Sequence, residues 1–77
     1  MIFLIQYDRK AGQLVSIQRY ADDQRFLADQ VRLSLELDLV RRGEKDEVAL
    51  LDAASEEAVR KTHRRYFEDL EALAKVS

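Results

Sequence analysis

The segment Ile2 to Asp8 limits the fold more than any other part of the chain. It is rich in β-branched and aromatic residues, the types that favour strands. Successive strand side chains point to opposite faces, so Ile2 and Leu4 share one face and Phe3, Ile5 and Tyr7 share the other. A strand that is apolar on both faces belongs in the interior of a sheet. The first strand is therefore expected at the centre.

The next segments supply its neighbour. Asp8 to Gly12 is a polar connection ending in a glycine that can take the positive φ of a short hairpin loop. Gln13 to Tyr20 then reads as a second strand. Plain alternation puts Val15 and Ile17 on one face and Leu14, Ser16, Gln18 and Tyr20 on the other. One apolar and one mostly polar face suits a hairpin partner with a wet side.

A helix is predicted from Asp22 or Asp23, either of which can act as N-cap, to about Arg42. Arg41 and Arg42 suit its negative C-terminal end, and Gly43 suits the left-handed position just beyond. Residues 31–39 also alternate strictly between apolar and polar, which is a strand signal. Helix is preferred on four grounds. Leu, Glu and Arg are good helix formers. No β-branched residue lies between Val31 and Val40. The caps bracket a sensible length. Arg25/Asp29 and Arg32/Glu36 are opposite charges four apart.

As a helix, this segment carries two apolar stripes. Leu27, Ala28, Val31, Leu35 and Leu39 form one, and Phe26, Leu33, Leu37 and Val40 form another, roughly opposite. Only one can face the chain's own sheet. The second is expected either to lie under the second helix or to meet a partner.

Glu44 to Asp46 form a charged turn, and Glu47 to Ala53 read as a third strand. Ser55 is a predicted N-cap, with Glu56 and Glu57 in the positive first turn. The helix it opens is expected to run to about Lys75. Its apolar face would carry Val59, His63, Tyr66, Phe67, Leu70, Leu73 and Ala74. The expected fold is an α+β domain of order β-β-α-β-α. It has a three-stranded, mainly antiparallel sheet, strand order 2-1-3, with both helices packed on one face.

Composition narrows the class of function. The chain has 77 residues, a length for one domain. With 47% hydrophobic and 36% charged residues, it has both a core and a solvated surface, which argues against disorder. Thirteen basic and 15 acidic residues leave a net charge of −2, too balanced for whole-domain attraction to nucleic acid or membrane. There is no cysteine, so disulfides, thiolate chemistry and cysteine zinc sites are excluded, and a cytoplasmic location is expected. The short N-terminal apolar run fits neither a signal peptide nor a membrane span. Regular structure from residue 2 leads to the expectation of a complete small protein.

Four candidate sites remain. His63 is the sole histidine and can serve as a general acid or base with Tyr7, Asp8 or Tyr66. A half-buried helix residue is the preferred reading of it. Asp8 and Asp52 end strands, and a shared metal is conceivable only if those ends coincide. In antiparallel strands they do not. An Asx turn and a loop cap suit them better.

Arg60, Lys61, Arg64 and Arg65 form a basic patch that can touch phosphates. Glu56, Glu57, Glu68 and Asp69 lie one turn away, so a solvated, ion-paired face is preferred. No phosphate loop, dinucleotide glycine pattern, GxSxG or HExxH is present.

The spare stripe Phe26, Leu33, Leu37 and Val40 is the fourth site. The leading expectation is a non-enzymatic interaction module that forms a homodimer, or binds another protein, through it. The alternatives are a nucleic-acid accessory protein using the basic patch and a small enzyme centred on His63. No cofactor, metal or membrane partner is implied.

Overall fold

The computed structural model describes residues 1–66, apart from the Arg65 side chain. Residues 67–77, including the expected helix positions Phe67, Leu70, Leu73 and Ala74, lie outside the described residues. The fold is α+β. Strand β1 (Ile2–Asp8) pairs antiparallel with β2 (Gln13–Tyr20) and with β3 (Glu47–Asp52), in the order β2-β1-β3. Between β2 and β3, a short 3-10 turn (Asp22–Gln24) leads into helix α1 (Arg25–Arg42). After β3 come helix α2 (Glu56–Thr62) and a 3-10 turn (Arg64–Tyr66).

The β1–β2 hairpin is closed by Asp8. Its Oδ1 accepts from the backbone N–H of Lys10 (2.9 Å) and of Ala11 (3.0 Å). Its carbonyl accepts from Gly12 at 2.8 Å, and Gly12 has φ 69°. The ladder then holds a bulge. Gln6 faces Ser16, but Tyr7 faces Leu14, so Val15 has no opposite residue. This corrects the simple alternation expected for β2. Leu14, not Val15, joins Ile17 against the core, and Val15 is exposed.

Helix α1 forms across the whole alternating segment. Gly43 ends it at φ 70°, with its N–H on the Val40 carbonyl (3.1 Å) and the Glu44 N–H on the Leu39 carbonyl (2.9 Å). Those two bonds satisfy carbonyls that the helix leaves open. The start differs from expectation, because neither Asp22 nor Asp23 is the cap. The Gln24 side chain accepts from the Ala21 N–H at 2.9 Å, and both aspartates fall within the 3-10 turn. Asp22 pairs instead with the Met1 ammonium, which holds its carboxyl below the usual range.

Helix α2 is capped as expected, Ser55 Oγ accepting from the Ala58 N–H at 3.2 Å. It ends sooner than expected. His63 leaves helical geometry (φ −126°, ψ 50°) and the chain tightens into the 3-10 turn. Thr62 and His63 are both poor helix formers, and the Thr62 hydroxyl donates back to the Ala58 carbonyl at 2.9 Å.

The strand order matches expectation, but the placement of the helices on one face is corrected. Ile2, Phe3, Leu4 and Ile5 are all at most 2% exposed, so both faces of β1 are covered. Phe3 and Ile5 pack with Val59 and Tyr66, flanked by Tyr7, Leu14, Ile17, Ala49, Leu51 and Ala53. Ile2 and Leu4 share the other face with their partners Asp52 and Leu50. That face meets α1, where Arg25 bonds Asp52, and Arg25, Phe26 and Asp29 line a hollow with Leu50. The helices thus lie on opposite faces. A central strand that is apolar on both sides needs a cover on each, and one helix cannot supply both.

Candidate functional site: the outer face of helix α1

At 100° per residue, Ala28, Leu35 and Leu39 fall on one line of α1. Ala28 and Leu39 are buried and Leu35 half-buried, so this line faces the sheet. Phe26, Leu33, Leu37 and Val40 fall within about 60° of the opposite line. Their exposures are 74%, 51%, 49% and 75%. Leu27, placed by the sequence on the inward stripe, lies on the flank and is 47% exposed. Counting the angle from Ala28 places it there. Five of the seven exposed large apolar residues of the described chain thus sit on one helix. Single exposed apolar residues are ordinary, whereas a contiguous row of them is not.

Charges frame the row. Arg32 donates to Asp29 at 2.7 Å and to Glu36 at 3.0 Å, holding both carboxylates along one border. These bonds raise the Arg32 pKa above its ordinary value. Arg25 pairs with Asp52, and Arg42 with Asp38 and Glu44. Arg41, on the other border, makes no ion pair among the described residues.

The remaining candidates sit elsewhere. His63 is the C-terminal cap of α2 and half-buried, not an interior helix residue. Its ring lies beside Tyr66, with centroids 6.2 Å apart, and Tyr66 meets the Tyr7 ring edge-on at 5.4 Å. The structure therefore gathers His63, Tyr66 and Tyr7 in a row. Asp8, the acid named from the sequence, does not join them, since its carboxylate is occupied in the hairpin turn. Among the described residues no carboxylate hydrogen-bonds the His63 ring, so the base-plus-orienting-group signature is not seen there.

Asp8 and Asp52 mark opposite ends of the β1–β3 ladder, since Ile2 faces Asp52. Six residues at about 3.3 Å each part them by about 20 Å. One ion cannot bridge that gap.

In the basic patch, Arg60 pairs with Glu56 and Lys61 with Glu57, each at 3.4 Å. Arg64 is exposed, and the Arg65 side chain lies outside the described residues, as do Glu68 and Asp69. Among the described residues, no helix is long and apolar enough to cross a membrane.

Comparison of the chain with protein-family models, with curated proteins and with solved structures finds no match.

Proposed function

We propose that this protein is a non-enzymatic interaction module that associates with a second copy of itself through the outer face of α1. The observation that carries the reading is the exposure of Phe26, Leu33, Leu37 and Val40, which lie within about 60° of the line opposite the sheet, Phe26 also edging the hollow over Leu50. Burying several hundred Å² of apolar surface at roughly 25 cal/mol per Å² yields several kcal/mol, partly offset by the cost of association. A second copy suits the surface because the row is bordered by acids on one side and, on the other, by Arg41, which has no ion pair among the described residues. Such a surface complements itself. Two-fold homodimers are also the commonest closed assembly.

The basic patch supports a nucleic-acid role less well. Two of its cations are already met by glutamates one turn away.

Light scattering over a concentration series from micromolar upward tests the proposal. The expected mass is twice the 9.0 kDa of the chain. Leu33→Glu with Leu37→Glu should return a folded monomer, with unchanged circular dichroism. A double variant that stays dimeric sinks the assignment of this face. One that unfolds places the stripe in the core.

A further inference from the structure

Phe26, Leu33 and Val40 recur every seventh residue, with Gln30 and Leu37 falling between them at the complementary four-residue step. Positions 26, 30, 33, 37 and 40 are therefore a two-heptad d-a-d-a-d seam on the outer face of α1, with one polar member. We propose that two copies pair α1 against α1 in parallel and in register, with Gln30 meeting Gln30 across the two-fold axis. This rests on the self-association proposed above and adds its orientation.

Two observations select parallel over antiparallel. The first is charge. Asp29 and Glu36 occupy the g border of the seam, and Leu27, Ser34 and Arg41 the e border. In a parallel pair, each g residue faces the e residue five positions on in the other chain. Glu36 then meets the second copy's Arg41, the one arginine of α1 with no ion pair among the described residues. Asp29 meets Ser34. In an antiparallel pair, the g borders face each other, so Asp29 and Glu36 meet carboxylates and Arg41 meets none. Arg32 already orients Asp29 and Glu36 along that border.

The second observation is Gln30. It is exposed, and it stands where every other seam member is apolar. A carboxamide carries both donor and acceptor, so two glutamines at equal height satisfy each other. In a parallel in-register pair, each seam residue meets its own counterpart. In an antiparallel pair, Gln30 would face an apolar side chain and lose its hydrogen bonds on burial.

The chain has no cysteine, so single introduced cysteines report the geometry cleanly. Val40→Cys and Phe26→Cys replace exposed side chains and leave the core intact. Each is to be oxidised mildly at concentrations where light scattering reads a dimer, alone and as an equimolar mixture. Gln13→Cys, on an exposed hairpin position, gives the rate of random collision.

The expected result is rapid, near-complete linkage within each variant, at least tenfold faster than for Gln13→Cys. The mixture should give linked 40–40 and 26–26 pairs and negligible 26–40 product by mass spectrometry. A dominant 26–40 product overturns the parallel orientation and leaves self-association standing. Linkage no faster than for Gln13→Cys, with a dimer still seen by scattering, removes α1 as the interface. A monomer at every concentration overturns the underlying proposal as well.

Discussion

At the scale of single residues, the chain uses its two glycines where the backbone has positive φ. Gly43 is the sharper case. A Cβ added there would meet nothing within 4 Å, so space is not the constraint. The constraint is φ 70°, which costs an ordinary residue about 1–2 kcal/mol. Alanine also narrows the unfolded ensemble, which returns part of that cost. Gly43→Ala should therefore lower stability by about 1 kcal/mol, read as a shift of the urea midpoint at unchanged slope. Gly43→Asn should lose less, since asparagine tolerates the left-handed region. Equal losses for both would mean that the turn has relaxed to another conformation.

Among the elements, α2 is the most dependent on its ends. A helix of seven residues has few internal bonds, so its cap carries a large share of its order. Ser55→Ala removes the bond to the Ala58 N–H and should cost about 1 kcal/mol. Because Val59 sits in the core, the loss should reach global stability as well as the exchange rate of the Ala58 amide. A faster amide with an unmoved denaturation midpoint would show that α2 opens independently of the sheet. Elements of this kind were legible in the sequence: Ser55 with its glutamates, Gly12 and Gly43 at their turns, and β1 at the centre. The bulge at Val15 was not, because nothing in the alternation of Leu14 to Ile17 marks where a register slips. The end of α2 was hidden too, since Val59, His63 and Tyr66 keep helical spacing through Thr62 and His63. Propensity at those two residues was the only warning.

For the molecule as a whole, the deciding fact is which face each helix takes. With α2 set against Phe3 and Ile5, it does not cover α1, so the outer stripe stays exposed. The sequence held both halves of this deduction. It showed a central strand apolar on both faces and a helix with two stripes. What it lacked was a local signal assigning each helix to a side, because that choice is tertiary. The candidate stripe was therefore readable residue by residue, and its exposure was not. The polar gap in that stripe leads to the last test. A buried polar residue at one seam position fixes orientation at a cost in affinity. Gln30→Leu removes both effects. Burying a leucine is worth about 1.5–3 kcal/mol, so the dimer should tighten by about tenfold or more. Orientation should loosen at the same time. In the Gln30→Leu background, the mixture of Phe26→Cys and Val40→Cys should begin to yield the 26–40 product, or scattering should reveal larger assemblies. A Gln30→Leu protein that binds more weakly would mean that Gln30 contributes affinity rather than register. One that binds unchanged would place residue 30 outside the contact.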